Sequence, residues 1–388
     1  MAGLYIHIPF CASRCIYCGF YSTTLSERRG DYVDALCREM KMTAGAGAFN
    51  RIGTIYLGGG TPSQLSPEQL QRLFTHIYNM YSVDAEAEIT LECNPDDVTT
   101  DFARALKDLP INRVSMGAQT FSDERLRFLR RRHTASQVGD AVEKLRAADI
   151  QSISIDLMYG FPDESLEQWD ADIAQALSLA PEHLSAYCLT IEEGTPLRRM
   201  LDNGAIRELD EETERAMYER LIDRLEAAGY VHYEISNFAR RIVMKSGEPS
   251  VADYRSRHNS SYWDGTPYLG LGAAAHSYDG QARWWNVSSV EEYIRRVESG
   301  VAATEEKEQL DAAMRYNDLV MTALRTREGL SVEKVRTLFG VQFFDELIAN
   351  ARPHVDAGRL VVEQGSLRLT RRGLFVSDGV MADLMYVI

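Results

Sequence analysis

The sequence predicts an α/β protein: a partial (β/α)6 barrel of the TIM-like type with a smaller C-terminal winged-helix-like α+β domain. Three observations carry this. Short β-like runs alternate with amphipathic helical segments over the first 240 residues, and such alternation implies parallel strands joined by right-handed crossovers. Polar and glycine-rich residues collect immediately after these runs, where (β/α) barrels build their sites. From about residue 240 the alternation fades into a helix-rich stretch that ends in a hairpin. The chain accordingly divides into 1–240, the barrel; 241–304, a connecting segment; and 305–388, the C-terminal domain.

The expected strands are Leu4–Ile8, Thr54–Leu57, Glu88–Leu91, Arg113–Met116, Ser152–Leu157 and His183–Leu189, with a weaker one at His232–Ile235. Helices fall between them, for example over Asp31–Met42 and Ser66–Tyr81. The second opens with Ser66 as N-cap, Pro67 at N1 and Gln69 at N3, a capping box. The cysteine-rich loop follows the first strand, Gly58-Gly59-Gly60-Thr61-Pro62 the second, Glu92-Cys93-Asn94-Pro95 the third and Gly117-Ala118-Gln119 the fourth. Asp156 ends the fifth and Leu189-Thr190 the sixth. Arg240–Arg257 is polar and reads as a loop. The last module opens with a helix over Gln309–Arg325 and continues with helices near Ser331–Phe339 and Phe343–Ala357. Leu360–Glu363 and Leu367–Thr370 then form a hairpin around Gly365.

Of the 388 residues, 45% are hydrophobic and 26% charged, ordinary for a globular protein. The net charge of −15 argues against nucleic acid as a partner. No apolar run approaches a membrane span, and no basic segment leads into an apolar core at the start. Cys37, Cys93 and Cys188 are scattered through element-like segments and read as packed apolar residues of a reducing, cytoplasmic setting.

The chemistry is concentrated in Cys11-Ala-Ser-Arg-Cys15-Ile-Tyr-Cys18. Zinc sites usually offer four ligands in two pairs, and no second pair appears. Three thiolates on one loop suit a [4Fe–4S] cluster whose fourth iron has no protein ligand. The glycines at Gly58–Gly60 let backbone approach a ligand closely. Glu92, Gln119, Arg131 and Asp156 stand at or soon after strand ends, although Arg131 shares its helical stretch with Arg125, Arg127, Arg130 and Arg132, mostly a solvated face. A second constellation is His258-Asn259-Ser-Ser-Tyr262-Trp263, followed by Gly270-Leu-Gly272 and His276. Its glycines imitate a dinucleotide fingerprint but lack the βαβ context that motif requires. Histidine, tyrosine and tryptophan together suit a flat aromatic ligand, with His258 the first candidate to contact a haem iron and His276 the next.

The C-x3-C-x2-C triplet resembles that of the radical S-adenosylmethionine (SAM) superfamily, in which the free iron binds SAM. Tyr5-Ile-His-Ile-Pro-Phe-Cys11, Gly58-Gly-Gly-Thr-Pro62, Asp156-Leu-Met-Tyr-Gly-Phe-Pro162 and Glu192-Glu-Gly-Thr-Pro196 together resemble the oxygen-independent coproporphyrinogen III oxidase-like group. Two departures matter: those oxidases carry a fourth cysteine where this chain has Phe20, and an N-terminal extension that is absent here. With His258-Asn-x-x-Tyr-Trp263, the pattern is similar to the HemW-type haem chaperones. The resemblance implies that Tyr5, Gly59, Gly60, Thr61, Glu92, Gln119, Arg131 and Asp156 lie at SAM-binding positions and that Tyr17 stacks on the adenine.

The first functional reading is therefore a cytoplasmic haem chaperone with a [4Fe–4S] cluster and SAM. It delivers haem to a membrane-associated respiratory haemoprotein, and cluster and SAM serve regulation or homodimer formation more than turnover. The second is a coproporphyrinogen oxidase, in which a 5′-deoxyadenosyl radical takes hydrogen from porphyrinogen propionates. A DNA-binding regulator is disfavoured by the acidity. Anaerobically reconstituted protein should bind about four irons. Cys11→Ala should lose the brown chromophore and Cys37→Ala should keep it; a requirement for Cys93 or Cys188 instead would overturn the ligand assignment.

Overall fold

A computed structural model describes residues 1–45, 47–243, 249–250 and 254–387. Six strands, β1 (Ala2–Ile8), β2 (Arg51–Gly59), β3 (Ser82–Cys93), β4 (Arg113–Gln119), β5 (Ser152–Tyr159) and β6 (His183–Cys188), run parallel in sequential order. Helices at Arg29–Thr43, Pro67–Met80, Thr100–Leu106, Ala135–Ala147 and Leu166–Ser178 occupy the crossovers. The Ser66–Gln69 capping box is formed. Apolar residues of the strands and of the inward helix faces merge into one core that includes Leu4, Ile55, Leu91, Val114, Ile155 and Trp169. This is the expected partial (β/α)6 barrel, and among the described residues it does not close on itself.

Beyond β6 the hairpin β7 (Tyr230–Glu234) and β8 (Asn237–Arg240) extends the sheet antiparallel, through β8. A short ribbon, β9 (Ile242–Val243) and β10 (Pro249–Ser250), follows. The rest of the expected polar loop, 244–248 and 251–253, lies outside the described residues. The segment 241–304 is more than a connector. It holds the helix Arg257–Asp264 and the strands β11 (Tyr268–Leu271), β12 (His276–Tyr278) and β13 (Ala282–Asn286), while β14 (Thr304–Gln309) begins at its end. β11 pairs parallel with β1, and the other three continue antiparallel, giving a sheet of twelve strands in the order β14-β13-β12-β11-β1-β2-β3-β4-β5-β6-β8-β7. These strands carry no alternating apolar signal because β11, β12 and β13 are only three to five residues long and β14 is wholly polar, with Glu305, Glu306 and Lys307 exposed.

The C-terminal module has helices Ala312–Leu324, Val332–Phe339 and Val341–Asp356, and a three-stranded sheet of β15 (Leu330–Ser331), β16 (Leu360–Glu363) and β17 (Ser366–Leu369). Its core of Tyr316, Val320, Leu347, Leu360 and Leu384 is separate from that of the barrel. The module meets β7 through the Ile235 N–H donating to the Arg325 carbonyl at 3.1 Å and the Arg327 N–H donating to the Tyr233 carbonyl at 3.0 Å. No helix among the described residues is long and apolar enough to cross a membrane.

Glu39, on the first crossover helix, fastens the sheet extension to the barrel. Its buried carboxylate accepts from the Gly272 N–H at 2.8 Å, the Tyr293 hydroxyl at 2.6 Å and the Asn286 amide at 2.7 Å. Burial pushes its pKa up against the downward pull of these three donors. Glu39→Ala should cost roughly 3 kcal/mol or more, because it strands buried donors. A urea midpoint that does not move would contradict this.

Candidate functional site

One cavity of about 680 Å3 opens at the C-terminal ends of the parallel strands. It gathers Cys11, Cys15, Cys18, Tyr17, Gly59, Gly60, Thr61, Glu92, Gln119, Arg131 and Asp156 into one wall. The cysteine loop leaves the end of β1 and is stitched down by the Cys11 N–H donating to the Thr23 carbonyl at 2.8 Å and the Thr23 N–H donating to the Pro9 carbonyl at 2.7 Å. Cys11 Sγ lies 3.5 Å from Thr61 Oγ1, and Arg131 Nη1 lies 3.7 Å from Cys15 Sγ. Burial pushes the Cys11 and Cys18 thiols up, so loading a metal there must displace their protons. Among the described residues no three His, Cys, Asp or Glu side chains converge on a single ion. Thiols spread around a loop, with a basic side chain beside them, suit a cluster in which each thiolate takes its own iron. All six cysteines are free; Cys37 and Cys93 are buried, while Cys188 is half-buried and joins the cavity wall.

Gly59 has φ +112°, and a Cβ there would lie 2.6 Å from the His7 ring; one on Gly60 would lie 2.6 Å from the Pro9 carbonyl carbon. The glycines thus let the ends of β1 and β2 close against each other, and Gly59 turns its N–H toward Glu92 Oε2 at 3.2 Å. Glu92 Oε1 accepts from the Tyr56 hydroxyl at 2.7 Å. Burial first, then the nearby Asp156 charge, push Glu92 up to about 7, against the downward pull of these donors. Asp156 is held by the Ser115 hydroxyl at 3.2 Å and, more loosely, by that of Ser154 at 3.5 Å. Gln119 sits at φ +67° beyond an irregularity in the β4–β5 pairing, a conformation that costs energy and concentrates at ligand sites. Arg131 is not part of the solvated face. It turns inward and donates to Asn94 Oδ1 at 2.7 Å and to the Gly117 carbonyl, while Arg127, Arg130 and Arg132 stay at least partly exposed.

Tyr5 lies one layer below this wall. Its ring stacks against Tyr56 and His258, with centroids 6.2 and 6.5 Å apart, and its hydroxyl pairs with His7 Nδ1 at 3.0 Å. His258 does not meet the expectation of a haem-facing ligand. It is fully buried, Nδ1 pairs with Thr54 Oγ1 at 2.8 Å and Nε2 with the Tyr262 hydroxyl at 2.9 Å, so neither nitrogen has a lone pair free for iron. Burial pushes it down to about 3, keeping it neutral. Glu88 accepts the Arg257 and His258 N–H groups, both at 2.9 Å, which pins their helix across the N-terminal end of the barrel. Only Asn259 of this motif lines the cavity. His276 is exposed on β12 and stacks on Trp285 across the strand pair, centroids 5.6 Å apart.

Sequence reasoning missed Arg113, Ser115, Ser185 and Tyr187 and named Asn94 and Asn259 only within their motifs, with no role; all six line the cavity. The signal was present: Arg113, Ser115 and Gly117 alternate along β4, as Ser154 and Asp156 do along β5 and Ser185 and Tyr187 along β6, a period of two that marks one face of a strand. Because Glu92 holds its proton more tightly in the folded chain, its contribution to stability is complete below its unfolded pKa near 4.5 and is lost as pH rises through about 7. In cluster-free protein, Glu92→Gln should flatten that fall by about 1–2 kcal/mol, less than the full linkage because the cavity admits water. Urea titrations at pH 5 and 8 check this, and parallel slopes for both proteins would contradict it.

The profile described as "Radical SAM superfamily" matches residues 5–176, and that of the "HemN C-terminal domain" matches 310–376. The chain is 32% identical over 382 residues to the heme chaperone HemW of Bacillus subtilis, covering 98% of each. It is 35% identical over 343 residues to that of Lactococcus lactis, covering 87% of this chain and 85% of the relative. The structure is similar to that of coproporphyrinogen III oxidase (HemN) from Escherichia coli, with TM-score 0.84 and 22% identity, covering 100% of this chain and 90% of the other, so the fold is shared. With a three-cysteine loop at the mouth of a partial barrel and this identity along nearly its whole length, the chain belongs to the HemW family of radical SAM proteins.

Proposed function

We propose that this chain is a haem-binding chaperone that carries a [4Fe–4S] cluster on Cys11, Cys15 and Cys18 and binds SAM beside it. The observation that carries the reading is the single cavity wall that joins the three cysteines to Arg131, Glu92 and Asp156. A cluster bound there supplies an electron and an open iron position. The chain's own residues do the rest. Arg131 presents a guanidinium at the cysteine loop for a carboxylate. Glu92, held near neutrality, takes up negative charge when an ammonium arrives. Asp156, supported by serine hydroxyls, offers its carboxylate to ribose hydroxyls. Tyr17, Gly59, Gly60, Thr61 and Gln119 complete this SAM site in the reading, with Tyr5 supporting it from below.

The relatives named heme chaperone support the haem part. Phe20, 73% exposed at the rim where the resembling oxidases place a cysteine, favours chaperone over oxidase. With His258 closed on both nitrogens, the haem ligand is His276, whose exposed ring on Trp285 suits a flat ligand. A membrane-associated haemoprotein acceptor, a cytoplasmic setting and a homodimer belong to the same reading.

Equilibrium dialysis of cluster-loaded protein should show SAM binding weakened about tenfold or more by Glu92→Ala and by Asp156→Ala, the loss of one charge-assisted hydrogen bond each. Haem titration should give a Soret band that His276→Ala alters, while His258→Ala lowers the melting temperature and leaves the band in place. Robust anaerobic formation of protoporphyrinogen from coproporphyrinogen would sink the chaperone reading in favour of the oxidase.

A further inference from the structure

The pairing of β4 with β5 slips by one residue between Gly117 and Gln119, which makes Ala118 the extra residue of a bulge. Gln119 follows at φ +67°, a conformation that a residue with a Cβ keeps only when its surroundings impose it. Its side chain lines the cavity and folds back over Gly117, where a Cβ would lie 2.8 Å from Gln119 Nε2. Anchors on both sides impose this shape. Before Gln119, Arg131 donates to the Gly117 carbonyl and His133 Nε2 pairs with the Ala118 carbonyl at 3.1 Å. After it, the Thr120 hydroxyl and the Phe121 N–H donate to the two oxygens of Asp172, at 2.5 and 3.0 Å. Arg131 also reaches the cysteine loop, and Asp172 also pairs with Arg125. His133 touches neither the loop nor the cavity and is 3% exposed. A carbonyl only accepts, so Nε2 carries the proton of this ring. Nδ1 is buried without a partner, a cost that a side chain serving packing alone would avoid. Burial, and then the Arg131 charge, push His133 down to about 4, so the ring stays neutral with this single donor.

We propose that His133 is a positioning residue of the SAM site: through the Ala118 carbonyl it fixes the bulge that turns the Gln119 side chain into the cavity. This rests on the SAM reading above. The test is a cycle of variants, with SAM affinity measured by equilibrium dialysis on cluster-loaded protein. His133→Leu keeps the bulk and loses the donor. It should weaken SAM binding about fivefold, the effect of one neutral hydrogen bond, and Gln119→Ala should do the same. The double variant should lose no more than either single one, because both changes remove the same contact. His133→Gln, whose amide reaches as far as Nε2, should bind SAM within about twofold of wild type. A general weakening of the fold does not give that pattern. If His133→Leu fails to hold its iron, His133→Asn, too short to reach Ala118, takes its place in the cycle. Losses that multiply in the double variant, to about twenty-fivefold, mean that His133 acts without Gln119 and overturn the proposal. Unchanged affinity in either single variant overturns it too, as does a loss in His133→Gln equal to that in His133→Leu. Failure of wild type to bind SAM overturns the SAM reading itself, and the positioning role with it.

Discussion

Inside most (β/α) barrels the strands fill the centre with branched apolar side chains. Here the inward positions hold Thr54, Glu92, Arg113, Ser115, Ser154, Asp156, His183 and Ser185, and a buried polar group must find a partner or lose about 1–3 kcal/mol. Much of the molecule answers that constraint. The Ser256 N–H donates to the Tyr233 hydroxyl at 3.3 Å, that hydroxyl pairs with His183 Nε2 at 2.8 Å, and His183 Nδ1 pairs with Ser154 Oγ at 2.7 Å. The directions are consistent when His183 is neutral with its proton on Nδ1, and burial pushes its pKa down to keep it so. Ser154 then reaches Asp156. A continuous line of donors thus runs from the closing helix to a carboxylate of the cavity.

The same logic explains why the incomplete barrel needs its additions. The His258 helix supplies partners for Thr54 and Glu88 that a closed barrel would find in neighbouring strands. The β7–β8 hairpin supplies Tyr233 for His183, and Phe238 stacks on His232 at 4.3 Å between centroids. Charge is used in the same way between crossovers. Arg125, largely buried, pairs with Glu164 at 2.9 Å and Asp172 at 3.3 Å, tying the helix after β4 to the segment and helix after β5.

Strand–helix alternation and the placing of polar residues after strands made the parallel core legible, and the spacing of Cys11, Cys15 and Cys18 made the loop legible. Both are local signals. Arg131 was ambiguous because its neighbours are charged and only tertiary packing turns one guanidinium inward. His258 misled for a related reason. A histidine beside tyrosine and tryptophan has the composition of a ligand site, but its partner Thr54 lies 204 residues away, and no local pattern reports it. β11–β14 escaped because the first three are only three to five residues long, too short to show a period, and β14, Thr304–Gln309, is wholly polar. Arg113 was overlooked because it opens β4, away from the loops that follow the strands, and its alternation with Ser115 and Gly117 along one face was the only sign.

A sheet that does not close keeps two borders, and the outer one, β14, is a bare ladder of backbone groups. Glu305, Glu306, Lys307 and Glu308 line it, three of the four acidic, in a chain of net charge −15. Two copies approaching along this border bring like charges into register, and such charge is how natural sheets discourage strand addition. The open architecture that gives the cavity its width therefore also requires a guarded margin, and resistance to edge-to-edge association at high concentration depends on four side chains of that border strand.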